Sequence, residues 1–554
     1  MLLGIDVGGT FTDAVIIDGA NVVSWAKRRT TKDNLMIGIT EALGAVLVDI
    51  DSAQIEQVTL STTVVTNTIV EHKEQPVDLY VVAGPGRNVD DIFPVRPVYL
   101  KGYTDHRGIV VESTKCEDIN HIAHTVQSRS GTNLAAVSAK FGVRNPKEEL
   151  DVTNALSAMY DTISTGSSLS GNLNFPRRTI SAYFNSAVTD VFNRFRQAVR
   201  DALVAHNITA PVYILKADGG SLPIDTIASV PVETVFTGPA ATVLGLEALR
   251  SATLGHTVAL DIGGTTTDIS LWKQGEPLMT KEGVSIRNYP SAVRSFAVTS
   301  VGIGGESVVR YNNGNLTVGP ERVGPSVALG GIEPTLGDAL IVLGKAQYGD
   351  GQKAYDGIAQ IDSTIDATTM AQRIVNVAVQ VIQEGIDTVV AKENKRPIYV
   401  VADIVHPDPF VPAQLVIVGG TAASLGPIIG DQLGLPIHIP SDAAVANAIG
   451  AGVANHTMAI TIHVDTKRRT MVVPELGIQD TSSHLRSAQA VEEVAYGLLR
   501  EAAKEQGLVT SDVLPDIETI SVEDFPVVDG WQSMERIITV KVQLQAGVSS
   551  YVES

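Results

Sequence analysis

With 554 residues, 44% of them hydrophobic, the chain is long enough for about two to four domains with sizeable cores. Its 41 basic against 61 acidic side chains give a formal net charge of −20, which argues against nucleic acid or an anionic membrane as the main partner. Cys116 is the single cysteine, which excludes an intrachain disulfide and fits a reduced, cytoplasmic setting, and the absence of any run of about 18 apolar residues predicts no membrane span.

Residues 1–23 read as a β-hairpin: an apolar run from Leu2 to Ile5, a turn around Gly8-Gly9, and a second apolar run from Ala14 to Ile17. Leu35, Ile39, Leu43 and Leu47 have helical spacing within a helix predicted over Lys32–Val48. A strand from Val58 runs into a polar turn, and a second, Val77–Val82, ends at Gly84-Pro85-Gly86. Cys116–Arg129 reads as a helix, Leu134–Phe141 as a buried strand and Pro146–Tyr160 as a helix. The periodic run Ile180, Phe184, Val188, Phe192, Phe195, Val199 and Leu203 predicts a long helix over Arg178–His206, read as crossing between two halves. Val212–Leu215 begins a new α/β unit, and Thr237-Gly238-Pro239 reads as a helix cap with an early proline. A second hairpin follows at Thr257–Leu271, then a loop-like stretch from Gly302 to Gly337 and a helix over Thr368–Lys392. The strand from Leu415 ends in a glycine turn, and Ala443–Ala454 is a helix of small residues. The end of the chain mixes strands (Thr461–Val464, Ile537–Leu544) with a helix (Ala488–Gln506). Alternating strands and helices predict an α/β layer structure. The expected units are 1–200, 201–458 and a small α+β region at 459–554.

One phrase occurs twice. Asp6-Val7-Gly8-Gly9-Thr10-Phe11-Thr12-Asp13 matches Asp261-Ile262-Gly263-Gly264-Thr265-Thr266-Thr267-Asp268 at both Asp, both Gly and two Thr positions, and apolar runs flank each copy. The copies lie too far apart for a solenoid period, but at the spacing of two duplicated α/β domains. Paired glycines let the backbone approach an anion and aim N–H groups at phosphate oxygens. Threonine hydroxyls add donors, and aspartates suit a hard cation such as Mg2+. A single copy is as well explained by an ordinary hairpin turn. The pair points to a nucleoside triphosphate held between two similar halves. No Gly-x-x-x-x-Gly-Lys-Ser/Thr occurs, which disfavours a P-loop enzyme.

Other candidates carry less. His121 and His124 sit one helical turn apart, where a solvated helix face is the simpler reading. Asp403, His406 and Asp408 flank Pro407 and Pro409, and a proline-stiffened loop explains them. Cys116 has no flanking base motif for a nucleophile.

The paired hairpins resemble the superfamily of nucleotide-binding folds that includes actin, hexokinase and the heat-shock chaperone ATPases. Val418-Gly419-Gly420-Thr421 resembles its adenosine motif, and Ala446-Asn447-Ala448-Ile449-Gly450-Ala451 its second connecting helix. Leu60-Ser61-Thr62-Thr63-Val64-Val65-Thr66-Asn67 is similar to the His-Gly-Thr-Thr-x-x-Thr-Asn stretch of the hydantoinase A/oxoprolinase family. Lys140–Pro146, Thr237–Ala240, Gly302–Ser307, Val318–Glu321 and Pro334–Ala339 resemble further segments of that family, in order. The chain departs from it at Leu60-Ser61 and in the shortened stretch Arg322-Val323-Gly324-Pro325.

The resemblance implies two ribonuclease H-like domains of the actin/hexokinase type around a nucleotide cleft. It implies ATP with Mg2+ or Mn2+ as cofactors, and activation of a cyclic amide (a hydantoin, lactam or oxoproline) by phosphorylation of its carbonyl oxygen before hydrolysis. Gly8, Gly9, Gly263 and Gly264 would supply backbone donors, and Thr10, Thr12, Thr265 and Thr266 hydroxyls. Asp6 and Asp261 would hold the metal through water. Asp13 or Asp268 would orient the nucleophile or the metal shell. Gly419, Gly420 and Thr421 would meet the nucleoside. Thr62, Thr63, Thr66 and Asn67 would contact substrate or phosphate, or else cap a helix beginning at Asn67. A second hydantoinase-type subunit in a homo- or hetero-oligomer is implied as partner. The alternatives are a subunit of an ATP-dependent ketone carboxylase and an ATPase that remodels a partner.

Overall fold

The computed structural model describes residues 1–31, 35–86, 90–251, 255–280, 282–397, 405, 407–482, 484–508, 516–527 and 535–553. Within it, both copies of the repeated phrase form the same turn between antiparallel strands. Leu2–Val7 pairs with Phe11–Asp18, and His256–Ile262 with Thr267–Lys273. The registers match, with Asp6 opposite Asp13 and Asp261 opposite Asp268. In the first turn Gly8 N–H donates to the Phe11 carbonyl at 3.0 Å, and in the second Gly263 N–H donates to the Thr266 carbonyl at 3.0 Å.

Each hairpin anchors a mixed sheet, and its first strand lies parallel to a later one. In the first sheet the order is Ser221–Pro223, Val212–Leu215, Gln57–Thr62, then the hairpin and Asn21–Arg29. In the second, the hairpin is flanked by Gln414–Val418 and Ile437–His438 on one side and by Glu276–Pro277 and Val298–Val301 on the other. The central strands are fully buried (Leu3, Ile5, Val258, Leu260, Leu415 and Ile417), as expected for strands covered on both faces. The strand Val212–Leu215 pairs with Gln57–Thr62, so the first half reaches past the expected boundary at residue 200.

The long helix is Phe175–Ala205, capped by Asn174. It does not cross between the halves. Its Phe184, Val188, Phe192, Phe195 and Val199 share one core with Leu3, Ile5, Leu43 and Leu60 of the first half. Periodicity reported a buried stripe correctly, but it carries no information about what the stripe meets. The crossing falls to two small-residue helices, Thr237–Ala248 and Ala446–Gly452. A Cβ on Gly245 would lie 2.1 Å from the Ala446 carbonyl, and one on Gly450 2.0 Å from that of Ala241, so only glycine allows the two backbones to touch. Their cluster joins Val15 and Ile17 of the first half to Ala259, Trp272 and Val416 of the second. Thr237 is the first residue of its helix. Phe236, in the left-handed region at φ 59°, holds the cap position instead.

Three further features complete the fold. A parallel sheet of Thr162–Thr165, Leu134–Ala139, Asp78–Val82 and Val98–Tyr99 is inserted in the first half. The stretch read as a loop contains a hairpin, Val309–Asn312 with Asn315–Val318, turned by Asn313-Gly314 at φ 52° and 84°. The C-terminal α+β region is a five-stranded sheet with the helix Ala488–Glu505, and its Ile460, Ile462, Val540 and Val542 belong to the first half's core. Among the described residues, the helix Ala367–Asn394 is long and apolar enough to cross a membrane. In this fold its Met370, Ile374, Ala378 and Ile382 are buried in the second half's core.

Candidate active site

The matched hairpins bring four carboxylates into electrostatic range of one another. Asp6 is 6% exposed and Asp13 5% exposed. Parallel pairing puts Ser61 beside Asp6, and its hydroxyl donates to Asp6 Oδ1. Asp13 Oδ2 accepts from Lys27 Nζ at 2.5 Å, whereas its Oδ1 is buried without a partner. Asp261 Oδ2 accepts from Thr242 Oγ1 at 2.6 Å and from Asn447 Nδ2 at 3.2 Å. The Asn447 amide also pulls the Asp6 carboxyl downward, so one crossing helix acts on carboxylates from both halves. Asp268 accepts from the Ser300 hydroxyl.

Burial raises the Asp6 carboxyl above its ordinary range against the pull of Ser61 and Lys27, and Asp261 adds to the rise. Burial also lifts Asp13 to about 7, opposed by Lys27 and reinforced by Asp6 and Asp261. Asp268 is lifted to about 7 by burial and then by the Asp261 charge, opposed by Ser300. Crowded carboxylates with one buried orphan oxygen fit a divalent cation. Among the described residues no three His, Cys, Asp or Glu side chains form a metal-binding group, so phosphate oxygens and water would have to fill most of its shell.

The two turns face each other. A Cβ on Gly264 would lie 3.8 Å from Thr10 Cγ2 and 3.6 Å from Glu306 Oε2. Glu306 N–H donates to the Gly264 carbonyl at 2.6 Å. Its carboxylate pairs with Arg322 of the second half at 2.6 Å and lies 3.7 Å from Arg29 of the first. Gly419, at φ +96°, lets the next turn pass Asp261, where a Cβ would sit 2.5 Å from Oδ1. Gly420 faces open space, and Thr421 donates from its backbone to the Ile262 carbonyl at 3.2 Å and from its hydroxyl to that of Gly263 at 3.4 Å. Gly8, Gly9, Thr10, Gly263, Gly264 and Thr265 are partly exposed, and Thr266 is exposed.

Some expected contacts lie elsewhere. Thr12 is fully buried and shares a hydrogen bond of 3.0 Å with Thr30 Oγ1. Its counterpart Thr267 donates to the Ile303 carbonyl at 2.7 Å. Both hydroxyls brace the turns from behind, away from the groove. Thr62 is fully buried, and the Thr237 hydroxyl both accepts from its N–H at 3.0 Å and donates to its carbonyl at 2.7 Å. Thr66 Oγ1 accepts from Phe236 N–H at 2.8 Å. The helix here is Val64–Val70, so it starts before Asn67. Thr63 and Asn67, joined at 3.2 Å, do line a cavity of about 450 Å3 beside Gly8 and Gly9, with Val64 and Phe195 on its wall. Lys27, Ser61, Thr242, Glu306 and Asn447 were not singled out as site residues from sequence. For Asn447 a signal was present in the connecting-helix motif. His121 and His124 are exposed, Asp408 pairs with Lys273 and His256 at 3.4 Å each, and Asp403 and His406 lie outside the described residues.

Comparison with known proteins bears on the fold and the family. A nucleotide-free acetone carboxylase superposes over 99% of this chain and 87% of its own, with a TM-score of 0.73 at 16% identity. The caprolactamase of Pseudomonas jessenii, described as ATP-dependent, superposes over 100% of this chain and 88% of its own, with a TM-score of 0.70 at 21% identity. At these identities the likeness is one of fold. In sequence, the chain is 26% identical over 382 residues to the caprolactamase subunit alpha of that organism, covering 62% of this chain and 54% of the relative. It is 26% identical over 402 residues to the acetophenone carboxylase gamma subunit of Aromatoleum aromaticum, covering 62% and 53%. The chain thus spans about half the length of these two curated relatives. The hydantoinase/oxoprolinase model matches residues 178–460, and the model of that family's N-terminal region matches residues 2–160, so both glycine turns fall within matched segments and the chain belongs to the hydantoinase/oxoprolinase family.

Proposed function

We propose that the groove between the two glycine turns binds ATP with a divalent cation and that the protein is a subunit of an ATP-dependent cyclic amidohydrolase. The observation that carries this reading is the register-matched pair of turns, with Thr10 of one facing Gly264 of the other and Asp6, Asp13, Asp261 and Asp268 crowded behind them. On this reading the halves are actin/hexokinase-like walls of one cleft. Gly8, Gly9, Gly263 and Gly264 direct N–H groups at the phosphates, and Gly419-Gly420-Thr421 border the nucleoside. Asp6 and Asp261, steadied by Ser61, Thr242 and Asn447, are the residues that would hold Mg2+ or Mn2+, which when bound would supply neutralisation of charge on the transferring phosphoryl group. Arg29 and Arg322 lie where they too can meet phosphate once Glu306 gives way.

The chemistry follows from the poor electrophilicity of an unstrained amide. The amide carbonyl oxygen attacks the γ-phosphorus, the bond to the β-phosphate bridging oxygen breaks, and ADP leaves. Water then adds to the activated carbon and gives up a proton. The tetrahedral adduct expels the ring nitrogen, which takes up a proton, and leaves an acyl phosphate. A second water attacks that carbonyl carbon, phosphate departs, and the carboxylate completes hydrolysis. Asp13 and Asp268, poised near neutrality, are suited to take the proton from water. Thr63 and Asn67 offer a hydroxyl and an amide to the substrate beside Gly9. A second hydantoinase-type subunit and a reduced cytoplasmic setting belong to the same reading. Both relatives cited are themselves named as subunits.

The carboxylase reading is the second one, favoured by the superposition on acetone carboxylase and the match to the acetophenone carboxylase subunit. Both activate a carbonyl oxygen, so substrate separates them. ADP release should be measured with lactams, hydantoins and ketones, with and without bicarbonate and a second hydantoinase-type subunit. Lactam- or hydantoin-stimulated release independent of bicarbonate is expected. Release that requires a ketone and bicarbonate would replace the amidase by the carboxylase. Asp261→Ala should lower stimulated ADP release by about a hundredfold or more with unchanged melting. Undiminished release in that variant would remove the groove from the mechanism.

A further inference from the structure

A second cavity, of about 370 Å3, lies where the first half, the segment around Arg294 and the C-terminal sheet meet. It shares no lining residue with the cavity beside Gly9. We propose that it is a binding site for a small zwitterion bearing one carboxylate and one ammonium group, a free amino acid in chemical class.

Two side chains on its wall are buried and each carries one polar atom with no partner among the described residues. Gln543 is 1% exposed and its Nε2 has no hydrogen-bond partner. Its Oε1 accepts from Arg294 Nη1, which fixes the amide orientation and commits the NH2 end to the remaining space. Thr457 is fully buried, and its Oγ1 also has no partner. Leaving such groups unpaired is costly, so two on the wall of one cavity mark a place shaped for polar contents.

The charges on the wall are arranged in an unequal way. Lys216 and Asp218 close on each other at 3.1 Å, and Asp218 also accepts from Gly220 N–H at 3.0 Å. Lys541 feels the charges of Arg294 and Glu475 before that of Glu233, and Glu233 those of Lys216 and Asp218 before that of Lys541, yet among the described residues neither the Lys541 nor the Glu233 side chain has a hydrogen bond or an ion pair within 4.0 Å. Burial accordingly lowers the Lys541 ammonium and raises the Glu233 carboxyl. A carboxylate seated against Lys541 and Gln543 Nε2, with its ammonium group toward Glu233, would answer both charges at once. The volume is at the small end for ligand sites. Exposed Ser168 and Ser229 stand on the wall and mark the way in from solvent. The site stands on this geometry alone. Its link to ring opening, which releases an amine and a carboxylate on one molecule, rests on the reading given under Proposed function.

Isothermal titration of the full chain with glycine, 4-aminobutyrate and 6-aminohexanoate tests the site, with hexanoate and hexylamine as singly charged controls. One saturable site for at least one amino acid is expected, with controls weaker by about tenfold or more. Lys541→Met and Glu233→Gln should each weaken binding by about tenfold or more. Ser229→Trp, at the exposed mouth, should abolish binding without changing the melting temperature. No saturable binding of any of the three amino acids would overturn the proposal and leave a water-filled junction, as would binding unchanged in all three variants. Asp261→Ala is expected to retain amino-acid binding. Titration with a non-hydrolysable ATP analogue in parallel separates the two readings: absent nucleotide binding with intact amino-acid binding sinks the groove alone.

Discussion

The two glycine turns share their register, their closing hydrogen bond and their aspartate pair, but the walls behind them differ. On the first, Lys27 pairs with Asp13 at 2.5 Å and Ser61 holds Asp6. On the second, Asp268 accepts from a serine hydroxyl, while Asp261 is held by Thr242 and Asn447. Glu306 then leans over the second turn, paired to Arg322. Duplication preserved the backbone that cradles an anion, and later residues divided the charge. The first wall carries a built-in cation, and the second carries an extra anion with a guanidinium behind it.

Removing the cation should have the larger effect. Lys27→Met withdraws the charge that opposes burial at Asp13, so the proton binds more tightly still. The acid limb of kcat/KM for stimulated ATP hydrolysis should move to higher pH by about one unit or more. An unmoved limb would take Asp13 out of the proton-handling step. Glu306→Gln should tighten nucleotide binding by about fivefold at low salt, and by less as salt screens the groove. Weaker binding in that variant would instead make Glu306 part of the nucleotide site.

Asp268 tests the second wall through stability. Its folded carboxyl titrates at about 7, above its ordinary range, so between the two values the folded state holds the extra proton. Stability therefore falls as pH rises through that window. Asp268→Asn removes this loss, and calorimetry should show a larger gain in Tm at about pH 8 than at about pH 5. Equal gains would place the raised affinity elsewhere. Thr12→Val should have the smallest effect on chemistry. It loses the bond to Thr30 and about 1 kcal/mol of stability, with stimulated ATP hydrolysis within about twofold of the parent. A collapse of turnover with normal melting would put the Thr12 hydroxyl back in the groove.

Much of this was legible in the sequence because local pattern determines it. The hairpins, the strand Leu134–Ala139, the helices Cys116–Ser130 and Ala367–Asn394, and the turn at Gly419 follow from apolar spacing and glycine placement. The Asn313-Gly314 hairpin was equally readable, and a glycine-rich surrounding concealed it. Thr12 shows a real limit. It repeats at Thr267, so identity marked it as functional, but alternation along a strand turns it to the face opposite Asp13. Thr62 and Thr66 were drawn in by their neighbours Thr63 and Asn67 for a similar reason, although their own hydroxyls accept backbone N–H groups, from Val64 at 3.2 Å and from Phe236 at 2.8 Å. Lys27 and Thr242 could be assigned only in three dimensions, since strand pairing and helix packing bring them to Asp13 and Asp261, whereas Asn447 lay in a legible motif whose partner carboxylate the sequence did not name.

The contact between Thr237–Ala248 and Ala446–Gly452 has a mechanical meaning. Backbone lies against backbone there at Gly245 and Gly450, inside a buried cluster that also holds Leu244, Val445 and Ile449, so both walls of the groove rest on one shared bearing. Asn447 is the pin through that bearing. Any movement that carries Asp261 away from the helix Ala446–Gly452 must break its hydrogen bond to Asn447, which couples the opening of the groove to the state of that carboxylate.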